Sequence, residues 1–141
     1  MTHFNSQEFS RYTRHIQLGD IGVEGQRKLK AARVLVVGCG GLGAPVSLYL
    51  AAAGVGQLTL VDGDHVELSN LQRQVIFTEA DIGHSKAICG QTRLKALNGH
   101  IEVNAVSERL SVDNAERLIQ AADLVIDCTD NFATRYLIND V

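Results

Sequence analysis

Three glycines with a fixed spacing are the first residues that could do chemistry. Gly38, Gly40 and Gly43 form a G-x-G-x-x-G pattern directly after the apolar run Arg33–Val37. The first glycine permits a tight turn, the second lets a phosphate approach the backbone, and the third allows a helix to pack closely on the strand. The start of that helix also attracts anions. The pattern predicts a nucleotide phosphate site, although a structural turn could use the same residues, and the missing G-K-[ST] ending excludes a Walker A loop.

Asp62 is placed to bind the sugar of such a nucleotide. It follows the apolar run Leu58–Val61 and lies 19 residues after Gly43. A carboxylate at this position accepts hydrogen bonds from both ribose hydroxyls, although it could instead cap its own loop. Together the glycines and Asp62 are typical of an NAD-binding oxidoreductase domain, which is one alternative for the function.

The side chains that follow Asp62 favour a different nucleotide. Asn70, Arg73 and Gln74 come shortly after it, and Lys86 opens the next predicted helix. Backbone N–H groups and a helix dipole suffice for a dinucleotide pyrophosphate, so two additional cations suit the greater charge of a triphosphate. Each cation taken alone is better explained as a surface residue, and only the group indicates a triphosphate site.

Two carboxylates flank the end of the last predicted strand. Asp127 and Asp130 follow the apolar run Leu124–Ile126. Ligands of open α/β sheets bind at the carboxyl ends of the strands, and a carboxylate beside phosphates is a natural ligand for Mg²⁺. We therefore expect magnesium at this end of the sheet.

Strands and helices that alternate along the chain must position these residues. The predicted strands are Arg33–Val37, Leu58–Val61, Ile101–Val106 and Leu124–Ile126. The predicted helices are Glu24–Ala32, Pro45–Ala53, Lys86–Leu97, Asp113–Ala122 with Asp113 as N-cap, and Asp130–Asn139. This alternation predicts the α/β class, with a Rossmann-like parallel sheet and helices on both faces.

An N-terminal helical arm precedes this sheet in the prediction. Residues 1–32 would form the arm, with Ser6 as its first N-cap, and residues 33–141 would form the nucleotide-binding domain. The last ten residues read as the middle of a helix, so we expect the chain to be the N-terminal part of a longer protein.

Composition excludes several classes of protein. The 141 residues include 13 basic and 16 acidic side chains, with a net charge of -3, so no global charge favours nucleic acid or an anionic membrane. Three cysteines without a C-x-x-C pair indicate neither a disulfide framework nor a zinc site. The polar N-terminus lacks the apolar core of a signal peptide. We therefore expect a cytoplasmic protein with no nucleic-acid or membrane partner.

Five motifs occur in a fixed order. They are R-Y-x-R-H (Arg11–His15), G-x-G-G-L-G (Gly38–Gly43), D-x-D-x-V-x-x-S-N-L-x-R-Q (Asp62–Gln74), G-x-x-K-A (Gly83–Ala87) and D-C-T-D-N (Asp127–Asn131). As a set they closely resemble the ThiF/MoeB/HesA family, the bacterial relatives of ubiquitin-activating enzymes. The resemblance implies adenylyltransferase activity: ATP and Mg²⁺ adenylate the C-terminal Gly-Gly carboxylate of a small ubiquitin-like sulfur carrier, and pyrophosphate leaves.

The resemblance also implies roles for individual residues. Those at the nucleotide would be Gly41 and Asn131 beside it, Asp62 at the ribose, Ser69, Asn70, Arg73 and Lys86 at the phosphates, and Asp130 at Mg²⁺. Arg14 would reach the triphosphate of a neighbouring subunit, which implies a homodimer.

The sulfur carrier is the least specified part of the expectation. The phrases that begin at Asp62 and Cys128 look more like the thiamine branch of the family, with ThiS as carrier, than the molybdopterin branch, with the small subunit of molybdopterin synthase as carrier. The family's zinc site uses paired C-x-x-C motifs, so Zn²⁺ is expected only in a C-terminal part that this sequence does not include.

Overall fold

Four parallel strands form the centre of the computed structural model, which describes residues 3–141. They are β1 (Arg33–Val37), β2 (Gln57–Val61), β3 (Glu102–Val106) and β4 (Leu124–Asp127), and their order in the sheet is β3-β2-β1-β4. Val37 pairs with both Val61 and Asp127, and Val61 pairs with Val106. All four strands therefore end at the same edge of the sheet, where the candidate site lies.

Helices cover both faces of this sheet, as predicted. They are α1 (Ser6–Arg11), α2 (Thr13–Ile16), α3 (Gly22–Ala31), α4 (Gly43–Ala53), α5 (Lys86–Leu97), α6 (Ala115–Gln120) and α7 (Phe132–Asp140). Val34 and Val36 of β1 pack in a core with α4 and α5, whereas Leu35 and Val37 pack in a second core with α6 and α7. Both faces of β1 are buried for this reason, and a strand of the composition RVLVV is suited to such a position.

The start of α1 differs from the prediction by one residue. Asn5, and not Ser6, is the N-cap, because its side chain accepts the backbone N–H of Glu8 at 2.8 Å. The Glu8 carboxylate in turn accepts the Asn5 N–H at 3.0 Å. This reciprocal pair needs an acidic residue three positions after the cap, and only Asn5 has one.

Two later helices also begin after their predicted residues. Helix α6 starts at Ala115 with Asn114, not Asp113, in the N-cap position, and the Asn114 side chain accepts the Ser111 N–H at 2.9 Å. Helix α7 starts at Phe132, because Asn131 caps it by accepting the Thr134 N–H at 2.9 Å. Asp130 consequently lies in the preceding loop and not in the helix.

The three N-terminal helices lie at the end of the molecule opposite the carboxyl ends of the strands. Tyr12 lies between the end of α1 and the start of α2. Arg11 and Tyr12 contact Leu97 and Asn98, at the C-terminal end of α5. None of the helices in residues 3–141 has the length and apolar character needed to cross a lipid bilayer.

Candidate functional site

An open cleft of about 1100 Å³ lies at the carboxyl ends of the strands. It spans the point where the sheet order reverses direction between β1 and β4, which is where ligands of open α/β sheets bind. The predicted site residues that line it are Gly38, Gly40, Gly41, Asp62, Asn70, Arg73, Lys86, Asp130 and Asn131. Gly43, Ser69 and Arg14 are outside this lining.

Gly38 and Gly43 are required by the packing of the turn after β1. Gly38 has a φ of +94°, and a Cβ atom there would lie 2.8 Å from the carbonyl oxygen of Cys128. A Cβ on Gly43 would lie 1.8 Å from the carbonyl oxygen of Gly38. No side chain fits at either position, so these two glycines bring the start of α4 against the strand ends and leave Gly40 and Gly41 facing the cleft.

Asp62 connects the ends of β1 and β2. One carboxylate oxygen accepts the backbone N–H of Cys39 in the glycine turn at 2.8 Å, and the other accepts the N–H of Asp64 at 2.8 Å. The carboxylate therefore caps its own loop and also holds the turn. Each oxygen can accept a second hydrogen bond, so a ribose hydroxyl can still be bound from the cleft.

Two cations face the cleft without a carboxylate partner in the described part of the chain. Lys86 is 7% exposed, and its backbone N–H donates to the carbonyl of Asp64 at 3.0 Å. Within residues 3–141 neither Lys86 nor Arg73 forms an ion pair. Burying an ammonium without a partner costs free energy, so a bound anion would stabilise this arrangement.

Arg73 is held by the residues that precede it. Its guanidinium donates to the carbonyl of Ser69 at 3.2 Å, and its Nε atom lies 3.8 Å from the position a Gly41 Cβ would occupy. Ser69 thus contributes its backbone to the position of Arg73, and its hydroxyl lies 3.5 Å from the Glu67 carboxylate. The cation lies beside the glycine turn, where the sequence places the phosphates.

Asn70 and Asn131 each use the side-chain oxygen to hold a loop. Asn70 is 8% exposed and accepts the Glu67 N–H at 2.9 Å, while Asn131 caps α7. In both residues the amide NH₂ group makes no hydrogen bond within the described chain. These donors are the parts of the two side chains that a ligand in the cleft could use.

The two acidic residues near β4 have different surroundings. Asp127 accepts the N–H and the hydroxyl of Thr129 at 2.9 and 2.6 Å, and it lies 3.6 Å from Arg135. The Asp130 carboxylate makes no hydrogen bond or ion pair in the part of the chain described. Asp130 is therefore the carboxylate available to a ligand, whereas Asp127 shapes the loop.

Magnesium is chemically compatible with this donor set. Mg²⁺ is commonly held by one or two carboxylates together with substrate phosphates and water. Asp130 supplies one carboxylate in the cleft, and residues 3–141 contain no group of three His, Cys, Asp or Glu side chains that could hold a metal alone. A metal here would consequently depend on a phosphate-bearing ligand.

Arg109, Arg135 and Gln74 also line the cleft. Sequence reasoning gave no role to the two arginines, and it named Gln74 without assigning it to the site. Arg109 pairs with Asp64 at 3.1 Å, and Arg135 donates to the Thr129 carbonyl at 2.9 Å. Gln74 is 3% exposed, and its Oε1 is buried without a hydrogen-bond partner in the described residues. The only sequence signal for Arg109 is its position shortly after a strand.

Cys39 and Cys128, the two cysteines near the cleft, pack in the apolar core. Cys39 is 2% exposed, and burial, reinforced by the nearby Asp62 carboxylate, raises the pKa of its thiol far above the usual range. Burial and the charge of Asp127 also raise the pKa of Cys128. Neither thiol is activated as a nucleophile.

Arg14 lies far from the cleft of its own chain. Helices α4 and α5 begin at the cleft, with Gly43 and Lys86 as their first residues. The segment around Arg14 instead contacts the other end of α5, through Tyr12 and Asn98. At about 1.5 Å per residue, α5 is about 18 Å long, whereas an arginine side chain spans less than half of that distance.

Comparisons with known proteins agree with this geometry. The ThiF family model matches residues 12–141. The chain is 55% identical over 134 residues to the probable adenylyltransferase/sulfurtransferase MoeZ of Mycobacterium tuberculosis, which covers 95% of this chain and 34% of that protein. It is 50% identical over 135 residues to the sulfur carrier protein ThiS adenylyltransferase of Escherichia coli, which covers 96% of this chain and 54% of that protein.

A solved structure has a similar fold. The E. coli tRNA N6-threonylcarbamoyladenosine dehydratase TcdA, in complex with ATP, superposes with a TM-score of 0.86 at 27% identity over 92% of this chain and 53% of that one. The chain thus spans about a third to a half of the length of these proteins. Because the family model covers nearly all of it, the chain belongs to the ThiF family.

Proposed function

We propose that this protein is an adenylyltransferase that uses ATP and Mg²⁺ to adenylate the C-terminal Gly-Gly carboxylate of a ubiquitin-like sulfur carrier. The observation that carries the proposal is a combination of groups within one cleft. They are the Asp62 carboxylate at the end of β2, the cations of Arg73 and Lys86, and the Asp130 carboxylate, and the last three form no ion pair within residues 3–141. A dinucleotide-dependent oxidoreductase has no evident use for all of these groups.

The reaction needs positioning and neutralisation of charge. A carboxylate oxygen of the carrier attacks the α-phosphorus, a new O–P bond forms, and the bond from that phosphorus to the bridging oxygen of the β-phosphate breaks. The electron pair leaves with pyrophosphate, and the product is an acyl-adenylate. No general base is required, since the carrier carboxylate is already ionised near neutral pH.

The residues of the cleft divide this work between the two ends of the nucleotide. Asp62 orients the ribose, and Arg73 and Lys86 lower the energy of charge that develops on the phosphates. Asp130 would hold Mg²⁺, which supplies further charge neutralisation when it is bound.

ThiS is the carrier that we propose first. The E. coli relative that acts on ThiS and the MoeZ relative are both adenylyltransferases by name and are similarly close to this chain. The small subunit of molybdopterin synthase is the alternative carrier. We place the reaction in the cytoplasm.

The distance of Arg14 from its own cleft supports a homodimer with shared sites. Arg14 is exposed near the end of α5 opposite the cleft, so it cannot reach a phosphate bound in the cleft of its own chain. A two-fold arrangement could bring it to the cleft of a second copy. In this arrangement Arg14 contacts the triphosphate of the neighbouring subunit.

Two measurements test the proposed function on the intact native protein. Exchange of radiolabelled pyrophosphate into ATP should depend on added carrier with its Gly-Gly terminus and should be absent with a carrier truncated by two residues. Calorimetry should show tighter binding of ATP with Mg²⁺ than of NAD. Carrier-independent exchange, or tighter NAD binding, would contradict the proposal.

A further inference from the structure

We propose that Tyr12 is a positioning residue that fixes the direction in which the Arg14 side chain extends from the protein surface. That direction determines whether Arg14 reaches the phosphates bound to the partner subunit. This inference rests on the proposed function, because it requires Arg14 to act in a second subunit. It assigns a catalytic consequence to a buried contact that lies outside the cleft.

Tyr12 attaches the N-terminal arm to the rest of the protein. It is 3% exposed and lies between α1 and α2, where it ends one helix and precedes the other. Its ring lies over Gly54 so closely that a Cβ on Gly54 would be 2.5 Å from it, and Gly54 has a φ of +88°. The end of α4 therefore forms a seat for this ring that no residue other than glycine provides.

The Tyr12 hydroxyl completes a buried polar contact with Asn98. It accepts a hydrogen bond from Asn98 Nδ2 at 2.8 Å, and the same amide donates to the carbonyl of Ala51 at 2.8 Å. Asn98 is fully buried, and its oxygen accepts the His100 N–H at 3.1 Å. Because every hydrogen-bonding group of Asn98 is used, removal of the Tyr12 hydroxyl leaves a buried N–H without a partner.

Arg11 and His15 also attach the N-terminal arm to the ends of α4 and α5. Arg11 donates to the carbonyl of Leu97 at 3.2 Å. His15 Nδ1 lies 3.1 Å from the oxygen of Gln26, whose amide donates to the carbonyl of Ala53 at 2.7 Å.

The R-Y-x-R-H motif therefore has two structural parts. Its first arginine, its tyrosine and its histidine attach the arm to the ends of α4 and α5. Arg14 is exposed and makes no side-chain hydrogen bond or ion pair within residues 3–141. Three anchoring contacts thus lie within or directly before the four-residue helix α2, on which Arg14 is exposed. A misplacement of about 1 Å of such a group can reduce a rate about a hundredfold.

The variant Tyr12→Phe tests this inference, first alone and then in subunit mixing. It keeps the aromatic ring against Gly54 and removes the hydroxyl. In the intact native protein its pyrophosphate exchange should fall about tenfold to a hundredfold, while adenosine affinity stays unchanged. Tyr49→Phe is the matched control, because Tyr49 is 77% exposed on α4, and it should keep full exchange activity.

The pattern of complementation separates positioning from a general structural defect. Mixed with Asp130→Ala, Tyr12→Phe should regain about a quarter of wild-type activity, because half of the dimers are mixed and each has one intact site. Mixed with Arg14→Ala, it should regain none, since every site then lacks a correctly placed Arg14. A defect that acts within the mutated subunit's own cleft would produce the reverse pattern and would overturn the inference.

A second variant guards against misfolding of Tyr12→Phe. Arg11→Ala removes an exposed anchor and should complement Asp130→Ala but not Arg14→Ala. If Arg14→Ala and Asp130→Ala fail to complement each other although heterodimers form, both the shared site and the role of Tyr12 are refuted. If that pair complements but Tyr12→Phe and Arg11→Ala complement Arg14→Ala, only the role of Tyr12 is refuted, and the proposed function stands.

Discussion

Asp62 Oδ2 accepts the backbone N–H of Cys39 at 2.8 Å, so the residue that ends β2 also holds the glycine turn that ends β1. This contact joins the carboxylate proposed to bind the ribose to the turn proposed to bind the phosphates. A change at Asp62 should therefore affect both the proposed sugar contact and the glycine turn that its carboxylate holds.

Asp62→Ala should weaken both ATP and adenosine, because ribose is common to the two ligands. Loss of hydrogen bonds to a charged group costs about 1.5–3 kcal/mol, which is about a 10- to 100-fold loss of affinity. Calorimetry with each ligand measures the effect. Asp123→Ala is a suitable control, since Asp123 pairs with Arg33 at the opposite end of the sheet. A loss confined to ATP would show that Asp62 does not contact the sugar.

The sequence predicts the sheet well because buried parallel strands have a distinctive composition. The run Arg33–Val37 is apolar on both faces, and the structure buries both faces. Since all strands are parallel, residues just after them collect at one edge, which is why Asp62 and Asp130 could be placed at the cleft in advance. Two details depend on the loops after the strands. They are the contact of Asp62 with the glycine turn and the position of Asp130 before the start of α7.

Other parts of the site depend on contacts that no local pattern encodes. Arg109 lies at the cleft because it packs on Gly63, where a Cβ would lie 2.6 Å from the Arg109 side chain. The distance of Arg14 from the cleft depends on where Tyr12 docks, 86 residues before its partner Asn98. The choice of Asn5 over Ser6 as N-cap is different, because it follows from a local pattern: only Asn5 has an acidic residue three positions later.

Arg73→Ala and Lys86→Ala should each weaken ATP much more than adenosine, because both cations line the part of the cleft that we propose holds the phosphates. A charge-assisted contact to phosphate is about twice as strong as a neutral one, so we expect about a 10- to 100-fold loss for ATP. Titration of both ligands into each variant measures the difference. Lys95→Ala, at the other end of α5, should leave both affinities unchanged. Equal losses for ATP and adenosine would exclude contact with the phosphates.

Asp130→Ala should leave the fold intact and reduce magnesium-dependent pyrophosphate exchange at least ~100-fold, or ~3 kcal/mol, by removing charge neutralisation in the transition state. Within residues 3–141 its carboxylate makes no hydrogen bond or ion pair that supports the loop, in contrast to Asp127. Exchange assays over a range of Mg²⁺ concentrations, together with circular dichroism, check both parts. Asp113→Ala, an exposed acidic residue before α6, is the control. Wild-type exchange in Asp130→Ala would remove this residue from the mechanism.

Buried Glu8 and partly exposed Lys30 form an ion pair that attaches α1 to α3, and the pair should make stability depend on pH. The Glu8 side chain is 4% exposed, and its carboxylate lies 2.6 Å from Lys30 Nζ. Burial alone would raise the pKa of Glu8, but hydrogen bonds from Lys30 and Asn5 and the charges of Lys30 and His100 outweigh it and hold the pKa below its usual value.

The sign of the effect follows from that lowered pKa. A carboxyl group with a lower pKa in the folded state stabilises the fold above its unfolded pKa of about 4.3, and this contribution is lost as the pH falls through the folded value. Glu8→Gln should therefore cost about 1–3 kcal/mol at pH 7, and the difference from wild type should shrink on acidification below about pH 4. Urea unfolding at several pH values measures the free energy of unfolding.

Removal of the other partner should be more damaging, because Lys30→Met leaves the Glu8 charge buried and unpaired, which costs about 3–5 kcal/mol. Acidification should partly relieve this loss, since the unpaired carboxylate then takes up a proton. Glu24→Gln is the matched control: Glu24 pairs with Arg27 on the same helix as Lys30 but is 75% exposed, so it should cost less than about 1 kcal/mol. If Lys30→Met were no more costly than Glu24→Gln, or its loss did not shrink in acid, the pair would not anchor the arm.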